Sequence, residues 1–321
     1  MRNHVPVFFD RQLREGRSMQ FMYQKRGILQ AATATFAVVA ALGLSACGGG
    51  DDDGGSSSAA SNDASASGGA SGGGGASGGG ASSIRVEGQS QALSSSLTTV
   101  SVLTPPVAWK ADGSFPGGNL TLSANDADAS QLKSQAPGAY TTLPQIGNVL
   151  SLSTGIVTDI AGNGDFAIGR WAAGSDSAGH TYTANQGQTW AVGAPVTVSM
   201  SEQTQFNCSL VAATRPTATD GNTAPGSLGD ATAVVTSATD TFGKVVANAA
   251  LTLQYSIGAD ANQTFSGDTR VGSVSTSVAT KSSLFTKFMG PSASTPYLVV
   301  SYGVLAPTTG GINGLAVLSC K

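Results

Sequence analysis

Leu251-Thr252-Leu253-Gln254-Tyr255-Ser256-Ile257 decides the fold. Leucines, tyrosine and isoleucine alternate with small polar residues, so every second side chain is apolar and the run predicts a strand buried on one face. Slipping the register by one residue would expose the whole apolar set, so that face must lie against other strands. Val196-Thr197-Val198-Ser199-Met200 repeats the pattern. Further strands are expected at Leu120-Thr121-Leu122, Val149 to Leu152, Phe166 to Trp171, Ala233 to Val235, Val271 to Val278, Tyr297 to Tyr302 and Leu315 to Leu318. Gly, Asp, Asn and Pro separate them, as turn residues do. Ser282 to Met289 is the one place where a short helical turn is expected. The fold class that follows is all-β, an antiparallel barrel or sandwich over residues 84–321. That region is read as one domain or as two subdomains with a break near 215–228.

Upstream, the texture differs. From Gly48 to Ser83 nearly every residue is Gly, Ser, Ala, Asp or Asn. Such a tract cannot bury apolar surface and reads as a disordered tether, with a span of roughly 30–35 Å on the flexible-coil estimate. It contains Gly69-Ala70-Ser71-Gly72-Gly73 and Gly75-Ala76-Ser77-Gly78-Gly79, which match the G-x-S-x-G nucleophile pattern. That motif requires a strand before the serine and a helix after it, which this composition does not provide.

Ahead of the tether stands Leu44-Ser45-Ala46-Cys47, preceded by the uncharged run Ile28 to Leu44 and by Lys25-Arg26. Charged start, apolar segment, small residues and cysteine together resemble a bacterial lipoprotein signal. The resemblance implies cleavage after Ala46, acylation of Cys47 with palmitate-type chains, and attachment to a membrane through the lipid. Residues 1–46 are then the signal peptide, and 47–83 the lipidated cysteine and tether. An uncleaved anchor helix is the alternative, although 17 residues fall short of the roughly 20 that span a bilayer. Residues 1–18 mix four arginines with Asp10 and Glu15 and read as a start-site artefact, since Met19 or Met22 opens a signal of ordinary length. Position 48 is Gly, whereas Asp after the lipidated cysteine favours retention in the inner membrane. The expected address is therefore the bacterial outer membrane, facing either the periplasm or the surface.

Charge excludes one class of partner. Six of the 16 basic and two of the 19 acidic residues precede Cys47, leaving 10 and 17 and a net charge of −7. Nucleic acid needs clustered Lys and Arg to displace counterions, so it is not expected as a partner. Charged residues make up only 11% of the chain, which leaves Ser, Thr, Asn and Gln to form the surface.

With Cys47 assigned to lipid, Cys208 and Cys320 remain. Phe206, Cys208 and Leu210 share one face of an expected strand, as do Ala316, Leu318 and Cys320. Both thiols then face the core, either as a disulfide in an oxidising compartment, the preferred reading, or as two separate buried thiols.

Asp240-Thr241-Phe242-Gly243-Lys244-Val245-Val246 precedes the Leu251 strand. Phe288-Met289-Gly290-Pro291-Ser292-Ala293 and Gly311-Ile312-Asn313-Gly314-Leu315-Ala316-Val317 follow it. This order resembles the barrel modules of transferrin-binding-protein-B-like surface lipoproteins, in which a strand ending in F-x-G-P-x-A precedes a glycine-led final strand. The resemblance covers about the last 90 residues. Ser294-Thr295-Pro296 stands where those modules carry Gly-Gly, and no binding residue transfers.

Chemistry-bearing residues are few. His180 is the one histidine after Cys47, so a Ser-His-Asp triad would have to use it, with Asp176 its nearest carboxylate in sequence. One His and one cysteine pair leave too few ligands for zinc. Asp159, Asn163 and Asp165 sit in a glycine-containing turn and form a weak calcium candidate; Asn125-Asp126-Ala127-Asp128 is a weaker one. Trp109, Trp171 and Trp190 read as core residues before they read as a sugar platform. Gly243-Lys244 lacks the rest of a P-loop. Glu87 and Glu202 are the only glutamates after the signal. No cofactor is expected. The reading carried forward is a membrane-anchored envelope lipoprotein with a non-enzymatic binding or structural β module, its protein or small-molecule ligand unspecified. An exported hydrolase drawing on His180, Glu202, Asp176 and Asp165 is the alternative.

Overall fold

The structure is a computed structural model that describes residues 84–104, 124–201 and 203–321, all within one compact unit spanning Gly75–Lys321. The signal, Cys47, the tether, Trp109, the Leu120 strand and Glu202 lie outside the described residues.

Strand makes up 65% of the structure. The first sheet holds β1 (Ile84–Val86), β2 (Thr99–Leu103), β3 (Ala124–Asp128), β4 (Lys133–Ala136), β5 (Ala139–Gln145), β6 (Asn148–Gly162), β7 (Phe166–Asp176), β8 (Thr181–Tyr182) and β9 (Gln188–Gly193). The second holds β10 (Gln205–Ala213), β11 (Thr217–Ala218), β12 (Ser227–Thr239), β13 (Val245–Ile257), β14 (Asp260–Arg270), β15 (Val274–Ser277), β16 (Ser282–Met289), β17 (Tyr297–Ala306) and β18 (Gly310–Cys320). The chain passes from one sheet to the other between Gly193 and Gln205, upstream of segment 215–228, in which β11 pairs with β18.

Both sheets curl into half-barrels, and connectivity explains why. The order is β3-β2-β9-β7-β6-β5-β4 in the first and β14-β13-β12-β10-β18-β17-β16-β15 in the second. In each, the two edge strands are neighbours in sequence. Only Val271-Gly272-Ser273 separate β14 from β15, and Ala129 to Leu132 separate β3 from β4. Links this short reach at most about 15 Å, so opposite edges must approach each other. At the second seam Gly272 N donates to Thr286 O at 2.7 Å and Ser275 Oγ to Asp268 O at 3.4 Å. Among the named strands pairing is antiparallel, except that β1 runs parallel to β6; an isolated parallel bridge joins Gln91 to Asn163.

The deciding stretch lies in β13 as its alternation predicts. Leu251, Leu253, Tyr255 and Ile257 are buried, while Gln254 is exposed. Its neighbours opposite are small on one side, with Leu251 against Ala233 and Leu253 against Ala231. On the other side Leu251 faces Gly267, where a Cβ would come within 2.8 Å of the Phe265 ring and 3.3 Å of Leu284. Large and small residues thus interlock inside the second half-barrel, together with Phe288, Leu298, Tyr302 and Leu318. A matching interior in the first half-barrel is built on Val100, Leu143, Val157, Trp171 and Trp190.

A third apolar layer joins the two sheets, made by Leu103, Phe166, Ile168 and Ala191 on one side and Phe285, Met289, Val299 and Val317 on the other. Strands β16, β17 and β18 are consequently buried on both faces along most of their length. That corrects the helical turn expected at Ser282 to Met289. The segment is a strand covered on both sides, so its apolar residues run together instead of alternating. Val196 to Met200 differs in the opposite sense. It is extended, with Val196, Val198 and Met200 turned towards the second core, but it joins no ladder.

Cys208 and Cys320 face each other directly across β10 and β18 and form a disulfide with a Cα–Cα distance of 4.0 Å. The next pair outward, Asn207 and Lys321, exchanges both backbone hydrogen bonds. The cysteines therefore occupy the non-hydrogen-bonded position, where antiparallel strands bring Cα atoms closest.

Candidate functional site

The weak calcium loop is dispersed by the fold. Asp159 sits at a break in the β6–β7 register with φ 55°, a left-handed conformation that Asp tolerates better than most residues. This turns its carboxylate towards the second sheet. Oδ2 accepts from Arg170 Nε at 2.7 Å and Oδ1 from Arg215 Nε at 2.7 Å. Two guanidinium groups thus occupy the carboxylate. Arg170 is only 1% exposed and also donates to the carbonyls of Ala184 and Gln186. Asn163 is engaged separately: its Oδ1 accepts from the backbone of Asp165 and Phe166, and its Nδ2 donates to Tyr297 OH at 2.8 Å. These contacts fasten one sheet to the other. In the second cluster the two acids are engaged separately: Asp128 caps the short 3-10 turn after it, and Asp126 faces Ser101 and Lys287.

Asp176 and His180, four residues apart across the β7–β8 turn, do come together. Oδ1 of Asp176 accepts the N–H groups of Ala178 and His180, and Oδ2 faces His180 Nδ1 at 2.9 Å and the Tyr182 hydroxyl. Burial alone would raise the Asp176 pKa; the bonds from Tyr182 and His180 outweigh it and hold the carboxyl below its usual range. Tyr182 is pushed up by burial and by the same carboxylate. The imidazole is 54% exposed, and among the described residues its ring bonds only to Asp176, with no hydroxyl at its other nitrogen. Glu87 is paired with Arg85 at 2.7 Å on the surface. Trp171 and Trp190 are fully buried in the first core, where Trp171 Nε1 donates to Tyr140 O, so neither presents a ring to a sugar.

Two clefts accompany the half-barrels. One, of about 560 Å³, lies beside the first seam among Leu93, Leu97, Leu132 and Tyr140, with Asp128 and Ser130 at its rim. The other, of about 540 Å³, opens at the end of the second half-barrel under the unladdered Val196–Met200 segment. Its apolar lining is Val196, Val198, Met200, Val246, Val271 and Phe288. Lys244, Arg270 and Lys287 line it too, three of the nine Lys and Arg side chains among the described residues. Lys287 pairs with Asp126 at 2.6 Å and Arg270 with Asp240 at 3.3 Å. Burial would raise the Asp126 pKa, but hydrogen bonds from Lys287 and Ser101 bring it below the ordinary value. Asp240 is lowered chiefly by the backbone N–H of Lys244. Among the described residues Lys244 has no ion-pair partner within 4 Å. Phe242, 93% exposed, stands at the tip of the adjoining β12–β13 hairpin.

Nothing in the local sequence marks this cleft. Its three cations lie in a hairpin, at a strand end and within another strand; the β13–β14 pairing sets Arg270 near Lys244, and the curl of the sheet brings in Lys287. Comparison with protein-family models, with curated proteins and with solved structures finds no match.

Proposed function

We propose that this chain is an envelope lipoprotein, anchored through Cys47 in the outer membrane, whose β body binds a ligand and performs no chemistry. The observation that carries the reading is the cleft beneath Val196 to Met200. An apolar hollow with a few converging polar groups is the usual form of a small-ligand site, and about 540 Å³ is within the usual range. Its cover suits that role. A segment tied to the body by side chains and not by a backbone ladder opens at lower cost than a strand does.

An environment-sensitive apolar dye titrated into the full chain tests the binding reading. Fluorescence should rise with wild type and fall several-fold with Val198→Asp, which places a charge under the cover. Equal enhancement by both proteins, or by neither, overturns it. The hydrolase reading has one observation in its favour, the Asp176–His180 contact at 2.9 Å. Turnover of an ester, glycoside or peptide that His180→Ala abolishes would establish it and remove the non-enzymatic one.

A further inference from the structure

We infer that the cleft of the second half-barrel takes a single-chain amphiphile with an anionic head, such as a long-chain fatty acid or a lysophospholipid with a terminal phosphate. This inference rests on the binding reading above and names its ligand class. The apolar part of the lining is aliphatic but for one ring, and the charged part is wholly cationic. Val196, Val198, Met200, Val246 and Val271 accompany a single aromatic ring, Phe288. A flat sugar or nucleobase would want ring faces or fixed hydrogen-bond partners, whereas a flexible methylene chain needs only dry aliphatic surface, and methionine adapts to such chains readily. Thr197 and Ser199 of the cover also border the cleft, but they are exposed, whereas Val196, Val198 and Met200 are partly buried.

Charge selects the head group. Residues 84–321 carry 10 basic and 13 acidic residues, a net −3, yet three cations converge here. The carboxylates facing them are Asp126, bound to Lys287, and Asp240, which reaches Arg270 at 3.3 Å. Two carboxylates against three cations leave one positive charge in excess, with Asp240 shared between Lys244 and an Arg270 side chain that is still 44% exposed. A carboxylate or phosphate head between Lys244 and Arg270 would complete that balance with charge-assisted hydrogen bonds, its chain running under Val198 and Met200. Carboxylate and phosphate share this chemistry, and competition separates them.

The test is photolabelling of the full chain with a long-chain fatty acid bearing a diazirine, with its methyl ester as the neutral counterpart. Labelled peptides should map to Val196–Met200 or to the Val271 turn, and the ester should label them about tenfold less, the loss of roughly one charge-assisted contact. Lys244→Gln with Arg270→Gln should lower labelling by the acid to the level of the ester, and Lys133→Gln, on the other sheet, should leave it unchanged. Displacement by palmitate or by lysophosphatidate supports the assignment and identifies the head. Equal labelling by acid and ester, unaffected by the double substitution, overturns the anionic head while leaving the binding reading standing. Labelling spread along the chain without enrichment at the cleft, together with no dye binding, overturns both.

Discussion

Asp159 and Arg170, eleven residues apart on paired strands, meet at 2.7 Å with side-chain exposures of 6% and 1%. Arg215, from the other sheet, closes on the second oxygen of the same carboxylate. Removing Asp159 would strand a buried guanidinium. Asp159→Ala is expected to cost about 3–5 kcal/mol in urea unfolding, the usual penalty for an uncompensated buried charge. Arg215→Ala, whose side chain is half exposed, should cost about 1 kcal/mol or less. Similar losses in the two variants would show that Arg170 does not depend on Asp159.

The Cys208–Cys320 bridge joins residues 112 apart. Chain entropy sets its contribution at roughly 4–5 kcal/mol, an upper figure since residual structure in the reduced chain lowers it. Alkylation of the non-reduced protein, followed by mass spectrometry, should leave both thiols unmodified. Cys208→Ala with Cys320→Ala should unfold at a clearly lower urea midpoint than wild type.

Asp176 makes stability depend on acid. Its pKa is lowered on folding, so its contribution is fully present above the unfolded value near 4 and disappears as pH falls through the folded value. Asp176→Asn should therefore be less stable than wild type at neutral pH, by about 1–3 kcal/mol for the charge-assisted bonds lost. The two unfolding curves should converge as pH falls through the lowered folded-state value. A constant gap down to pH 2 would assign the stabilisation to something other than the carboxylate's charge.

Leu253 is 1% exposed between Ala231 and Phe265. Leu253→Ala should cost about 2–5 kcal/mol, and Leu253→Asp should abolish the cooperative transition, because a charge there has no partner. Circular dichroism during thermal melting reads both outcomes.

For Cys47, metabolic labelling with an alkynyl fatty acid should mark wild type and not Cys47→Ala. Equal labelling of the two would remove the lipid anchor from the proposed function.

Legibility in the sequence followed the number of buried faces. β13 could be read because only one face is covered, so burial imposed a period of two on Leu251 to Ile257. β16 could not: Leu284 and Phe288 fill one core, Phe285 and Met289 another, and no period survives. Val196 to Met200 shows the converse limit. Its alternation correctly reports which side chains turn inward, yet alternation records burial and says nothing of a hydrogen-bonded neighbour. Asp176 and His180 were visible as a pair because a tight turn joins them. Lys244, Arg270 and Lys287 were not, being 26 and 17 residues apart on strands that the β13–β14 ladder and the curl of the sheet bring to one mouth.

By itself the sequence determined the all-β character and that Cys208 and Cys320 face inward, because each follows from side-chain direction along a single strand. The strand expected from Val271 to Val278, by contrast, is cut to β15 by the turns at 271–273 and 278–281. Tertiary structure alone decided that the sheets curl, that Asp159 serves two arginines instead of a metal loop, and that three cations rim one apolar cleft. Those outcomes depend on which strands pair across more than a hundred residues, as β10 does with β18. Pairing of that range is settled by burying both faces of the shared strands together, a condition no local window of sequence contains.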